Sequence, residues 1–192
     1  MSQKIAVFAS GEGTNAERLI KYFENTKTPV AIVVTNNSKA GVVVRAGKYG
    51  VPVLQITKQE LADIDCFFKM IEKHRVTWIV LAGFLLKIPS YLVQRFPNKI
   101  INIHPSLLPK FGGKGMYGNH VHKAVLEAGE KESGITIHFV NEHYDEGAII
   151  FQATCVIEET DTVESLSKKI HALEYFHFPK VVEEVINKAI WE

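Results

Sequence analysis

The chain has 192 residues, 46% apolar and 22% charged, with a formal net charge of +1. That length supports one sizeable domain with a full core, and the near-neutral balance offers no bulk attraction to nucleic acid or a membrane surface. No run approaches the roughly 18 apolar residues of a membrane span.

The two cysteines, Cys66 and Cys155, lie far apart in apolar contexts. They read as buried thiols rather than a disulfide or a metal pair. Met1-Ser2-Gln3-Lys4 runs straight into an apolar segment, which predicts no signal peptide and a cytoplasmic protein.

Residues 4–10 (KIAVFAS) read as a buried strand followed by a glycine turn. Ala16, Leu19, Ile20 and Phe23 then form a helical stripe. Residues 30–36 predict a second strand, 39–49 a helix closed by Gly50, and 51–56 a short strand that Pro52 places at its start or an edge. Thr57 and Lys58 precede one helix expected to run to about Arg75, on the spacing of Leu61, Ile64, Phe67, Phe68 and Ile71.

Residues 78–84 (WIVLAGF) form a continuous apolar run, as in a strand covered on both faces. A short helix over Ser90–Phe96 precedes a fifth strand that begins at Ile100. A glycine-rich loop, 112–118, leads into a helix over 119–129. Residues 134–140 and 148–157 predict two last strands, joined by too few residues for a helical crossover and therefore antiparallel. The segment 161–190 reads as a helix capped by Asp161 or Thr162, and Pro179 should kink or split it. Alternating strands and helices imply an α/β, Rossmann-like, mostly parallel twisted sheet with helices on both faces and an antiparallel addition at one edge. One domain over 1–192 is expected.

Asn102 and His104 stand two apart on the fifth strand, so an amide and an imidazole project from one face at its carboxyl end. Pro105 should stop the strand there. A purely structural role at a strand end is the plain alternative. The first glycine loop, Gly11-Glu12-Gly13-Thr14-Asn15, opens a helix whose free N–H groups and positive dipole end suit an anion. A dinucleotide is disfavoured, because Ala16 replaces the third fingerprint glycine and Thr35-Asn36-Asn37 carries no acid. A Walker lysine is missing as well. A phosphate monoester fits better, against the alternative of a plain structural turn.

Asp145 lies in the loop between the last two strands. If that loop meets the His104 loop, Asp145 can hold the imidazole protonated and oriented. No Ser or Cys sits in a nucleophile elbow, which favours direct transfer with oxyanion stabilisation over a covalent acyl-enzyme. His120 and His122 stand i,i+2 at a helix start and do not share a face, so no metal is expected. His138 is placed on a strand, where it could orient a neighbour or a ligand.

Ser10-Gly11-Glu12-Gly13-Thr14-Asn15, Leu81-Ala82-Gly83-Phe84, Asn102-Ile103-His104-Pro105-Ser106-Leu107-Leu108-Pro109 and the Asp145 loop occur in this order. On these motifs, over nearly its whole length, the chain resembles the phosphoribosylglycinamide formyltransferases, the folate-dependent transformylases of purine biosynthesis. The resemblance implies transfer of a formyl group from 10-formyltetrahydrofolate, as cosubstrate, to the amine of glycinamide ribonucleotide. It implies that Gly13, Thr14 and Asn15 hold the substrate phosphate and that Glu174 contacts the ribonucleotide. Asn102, His104 and Asp145 would be catalytic. Leu85, Leu86, Lys87, Ile88, Asn102 and Val140 would serve the folate, the N-terminal half binding phosphate and the C-terminal half carrying catalysis.

Small molecules are the partners implied, with no metal, nucleic acid or membrane, and a homodimer is left open. A formyltetrahydrofolate hydrolase with the same trio, or a non-catalytic phosphate-binding module, are the alternatives. Two departures from the family pattern stand out. Glu60 occupies the position of a basic folate-tail residue, and the loop Phe111–Gly118 is longer than the common form, with Lys114 in it.

Overall fold

The computed structural model describes residues 3–191. Seven strands form one sheet in the order β3-β2-β1-β4-β5-β6-β7. They are β1 (Ile5–Phe8), β2 (Val30–Thr35), β3 (Val53–Gln55), β4 (Trp78–Leu81), β5 (Ile100–His104), β6 (Glu132–Phe139) and β7 (Ile149–Val156). The chain divides into two compact units, the first ending at Ile101 and the second starting at Asn102.

In the first unit β1 pairs in parallel with β2 and β4, and β2 with β3. The strands are short and apolar, and every residue of β1 and β4 is buried, as the uninterrupted apolar runs require of a sheet covered on both faces. Helices α1 (Thr14–Phe23), α2 (Gly41–Lys48), α3 (Lys58–Ala62), α4 (Ile64–Ile71) and α5 (Ser90–Arg95) join them. The predicted stripe of α1 is the buried one: Ala16, Leu19, Ile20 and Phe23. Gly50 adopts the left-handed conformation expected after α2 (φ 65°).

The single helix expected after Lys58 and on to about Arg75 starts at Lys58 itself and is broken. α3 ends at Asp63 (φ −90°, ψ 111°), whose carboxylate accepts the Cys66 N–H at 2.9 Å and so caps α4. A 3₁₀ turn, Glu72–His74, follows, and Arg75 turns left-handed. The apolar spacing continues through the break, which is why periodicity missed it.

The second unit holds the end of β5, then α6 (Asn119–Glu127), the antiparallel pair β6–β7 and α7 (Val163–Trp191). Close strand approach here demands glycine: a Cβ on Gly147 would lie 1.7 Å from the Phe139 carbonyl oxygen, and one on Gly134 2.0 Å from that of Ala153. Thr162 caps α7 by accepting the Ser165 N–H at 3.2 Å. Pro179 does not split α7, which runs unbroken for 29 residues. The missing hydrogen bond costs about 3 kcal/mol, offset by burial on both sides of the proline, at Ile170, Phe178, Val182 and Ile186. Cys66 and Cys155 are free thiols, half-buried rather than buried.

Candidate active site

Because β1 lies between β2 and β4, the chain leaves β1 to one side and returns on the other. The carboxyl end of β1 is therefore a topological switch point, where open α/β sheets bind ligands. The glycine loop emerges there. Gly13 has φ 75°, and a Cβ on it would lie 2.5 Å from that of Val42, so only glycine fits. Gly13, Thr14 and Asn15 are half-buried at the start of α1, whose N-terminus carries no side-chain cap among the described residues.

The loop is braced from α2. Val42 N–H donates to the Gly11 carbonyl at 3.2 Å and Arg45 Nε to that of Glu12 at 2.8 Å, while the Arg45 guanidinium pairs with Glu17. A left-handed turn held rigid before an uncapped helix start presents N–H groups to an anion at no ordering cost.

After β4, Leu85 and Lys87 are exposed, Leu86 half-buried and Ile88 buried. Ser10 fixes the start of this segment: its hydroxyl accepts the Leu85 N–H at 2.9 Å and donates to Asn36 Oδ1 at 2.5 Å. Glu60 is committed locally, its carboxylate accepting the Thr57 N–H at 2.7 Å and hydroxyl at 2.8 Å in a capping box.

The second unit brings Asn102, His104 and Asp145 together. One carboxylate faces both side chains: Asp145 Oδ1 accepts from Asn102 Nδ2 at 3.4 Å, and Oδ2 lies 3.5 Å from His104 Nδ1. The i,i+2 spacing on β5 does what the strand period requires. Asp145 sits left-handed (φ 57°), as does Phe111 (φ 56°), a conformation uncommon for non-glycine residues. Two glycines join their loops. Gly113 N–H donates to Asp145 Oδ2 at 2.9 Å, and Gly112 approaches so closely that a Cβ would lie 3.3 Å from that of Asp145 and 2.5 Å from Leu108 Cδ2.

His104 is buried, and burial pulls its pKa below the ordinary value; the Asp145 charge and the Phe111 carbonyl, which accepts from Nε2 at 2.8 Å, oppose that pull without overcoming it. Asp145 thus raises the imidazole pKa as expected, but desolvation is the larger effect and the net direction is downward. For Asp145 itself burial favours the neutral acid. The His104 imidazole and the Gly113 N–H oppose it, and the carboxyl lies below its usual value.

His138 is the residue whose weight the sequence understated. Its Nδ1 donates to the Phe139 carbonyl at 2.8 Å, which leaves Nε2 to accept from Asn102 Nδ2 at 3.0 Å. At 3.6 Å, Nε2 is beyond hydrogen-bond reach of Asp145 Oδ1. Both amide hydrogens of Asn102 are thus engaged, one on His138 and the longer contact on Asp145.

The loop after β5 is braced as well. Thr136 Oγ1 donates to the Ser106 carbonyl at 2.6 Å and accepts the Leu108 N–H at 3.0 Å, and Gln152 Nε2 donates to the Leu108 carbonyl at 3.1 Å. The strand positions of Thr136 and Gln152 gave no sign of this. Glu174, buried on α7, accepts from His171 Nδ1 at 2.8 Å, and its charge reaches His104 and His122. Val140 is half-buried just beyond β6, and Lys114 is exposed.

Residues 3–182 match the model of the formyl transferase family. The chloroplastic phosphoribosylglycinamide formyltransferase of Arabidopsis thaliana is 40% identical over 98% of this chain and 67% of its own length. The phosphoribosylglycinamide formyltransferase of Bacillus subtilis is 36% identical over 96% of this chain and 95% of its own. A trifunctional purine biosynthetic protein of Drosophila pseudoobscura is 38% identical, and the chain spans 14% of it. The crystal structure of phosphoribosylglycinamide formyltransferase from Bacillus halodurans superposes with a TM-score of 0.87 at 33% identity, covering 97% of each chain. With the trio in place and these relatives matched along nearly its full length, the chain belongs to the formyl transferase family and, within it, to the phosphoribosylglycinamide formyltransferases.

Proposed function

We infer that the protein transfers the formyl group of 10-formyltetrahydrofolate to the amine of glycinamide ribonucleotide, yielding N-formylglycinamide ribonucleotide and tetrahydrofolate. The observation that carries this reading is the single Asp145 carboxylate facing the Asn102 amide and the His104 imidazole. That arrangement suits charge stabilisation and proton transfer and offers no covalent nucleophile. The glycine loop of the first unit holds the phosphate on the α1 N-terminus, and the second unit supplies the chemistry. Residues 85–88 and Val140 serve the folate, and Glu174 the ribonucleotide.

The amine attacks the formyl carbon, and the carbonyl oxygen gains negative charge. Both ring nitrogens of His104 face acceptors, Phe111 O and Asp145 Oδ2, so the neutral ring satisfies one of them and the cation both. The developing oxyanion is a third acceptor, and His104 turns a ring N–H from its present acceptor to that oxygen as the charge appears. Asn102 turns its longer contact from Asp145 to the same oxygen. Each aligned donor contributes about 3–4 kcal/mol to the transition state. Asp145 takes the amine's proton, through water, and the folate nitrogen recovers one as the carbon–nitrogen bond breaks, so the proton count closes.

The test is incubation with 10-formyltetrahydrofolate with and without glycinamide ribonucleotide, following tetrahydrofolate. Formation that needs the amine is expected. Formate release without it would mark a hydrolase, and no turnover would mark a binding module.

A further inference from the structure

The first unit contains a cavity of 610 Å³ lined by residues of α4, the 3₁₀ turn, α5 and the residues leading into β4 and β5. Thr77 and Lys99 immediately precede those strands. β1 and β4 are parallel, and the glycine loop follows the carboxyl end of β1. The cavity therefore sits at the opposite end of the sheet from that loop and plays no part in the phosphate site.

Its wall is basic. Lys69, Arg75, Arg95 and Lys99 line it, with Glu72 as the one carboxylate on the lining. All four cations are exposed, and none is in a salt bridge among the described residues. Lys69 and Arg95 lie in the last turns of α4 and α5, where a cation also answers the helix dipole. Arg75 and Lys99 have no such reason. Arg75 is moreover held left-handed at φ 51°, its N–H on the Glu72 carbonyl at 3.0 Å.

The floor is apolar and aromatic. Phe96 and Ile71 are buried beneath it, and Phe68 and Pro97 present partly or fully exposed faces. Cationic walls over an aromatic floor, in a volume within the usual small-molecule range of about 300–1,000 Å³, fit a planar apolar group joined to several negative charges. A purely inorganic anion would leave the floor unused, and an uncharged aromatic would leave the cations unused. Glu72 can accept from an exocyclic amino group.

We propose that this cavity binds a nucleoside phosphate, with its base against Phe68 and Pro97 and its phosphates among Arg75, Arg95 and Lys99. ATP, adenosine and inorganic tripolyphosphate are titrated separately into the ¹⁵N-labelled full chain. ATP shifts the amides of Arg75, Val76, Thr77 and Lys99 saturably, below about 1 mM. Adenosine and tripolyphosphate each bind at least about tenfold more weakly. Reversing two charges, Arg95→Glu with Lys99→Glu, weakens ATP at least about tenfold, with formyl transfer unchanged; Arg75→Ala serves if that pair unfolds the protein. No saturable shift at these amides, shifts confined to Gly11–Asn15, unaltered affinity in the folded variants, or tripolyphosphate binding as tightly as ATP each overturns the proposal.

Discussion

His104 Nδ1 lies 3.5 Å from Asp145 Oδ2 while His104 Nε2 donates to the Phe111 carbonyl at 2.8 Å. An imidazole between two acceptors is poised to take up a proton that its burial otherwise resists. Asp145→Asn removes the charge that raises the His104 pKa, so that pKa falls further, readable by NMR titration of the ring carbons. The amide oxygen still accepts the Gly113 N–H, so the loop holds. Turnover drops by roughly 10²–10⁴-fold; an unaltered His104 titration would break the coupling argued here.

His138 acts through Asn102, by accepting its amide at 3.0 Å. His138→Ala frees that amide to turn away, and kcat falls by about tenfold or more while KM for the ribonucleotide stays within about twofold. Gln, which can accept at a similar reach, restores part of kcat. A KM effect alone would mean that His138 binds substrate instead.

The buried histidines also set the response to acid. His104 and His122 sit below the ordinary value, through burial above all. Between their folded values and about pH 6.5 the unfolded chain binds protons that the folded chain refuses, so stability falls as pH drops through that window, by at most about 1.4 kcal/mol per pH unit per site. His171 runs the other way. Glu174 raises its pKa, so its contribution is full below about pH 6.5 and is lost as pH rises through the folded value. Denaturant midpoints from pH 5 to 8 check this. His122→Asn flattens the acidic window and His171→Asn the alkaline one.

Gly13→Ala places a Cβ 2.5 Å from that of Val42, at φ 75°. Stability falls by about 1–3 kcal/mol, and the ribonucleotide KM rises more than kcat falls, because the phosphate loop is displaced. Adding Val42→Ala relieves the clash but not the backbone strain, so the double variant recovers stability in part. Full recovery would show that φ is not a constraint there.

Much of this architecture is legible in the chain because buried parallel strands are written as apolar runs. The run read over 30–36 is β2 but for its last residue, while the run over 78–84 overshoots β4, which ends at Leu81. The strand period likewise put Asn102 and His104 on one face. Local capping was less visible: Asp63 ends one helix and starts the next inside an unbroken apolar spacing. That Asp145 raises the His104 pKa can be guessed from sequence, whereas the depth of burial that outweighs it depends on the whole fold. The tasks of Thr136, Gln152 and His138 rest on which strand lies beside which, information no single segment carries. Pro179 shows the reverse case, a strong local signal overridden by packing along α7.

Formyl transfer by the Asn102–His104–Asp145 trio is tested most directly with 10-[¹³C]formyltetrahydrofolate and glycinamide ribonucleotide, by ¹³C NMR, comparing the wild-type protein with His104→Ala. The label moves onto the glycinamide nitrogen with the wild type, and the folded variant does so at least about 10³-fold more slowly. Label released as formate by the wild type, or transferred at near-normal rate by the variant, would contradict the account.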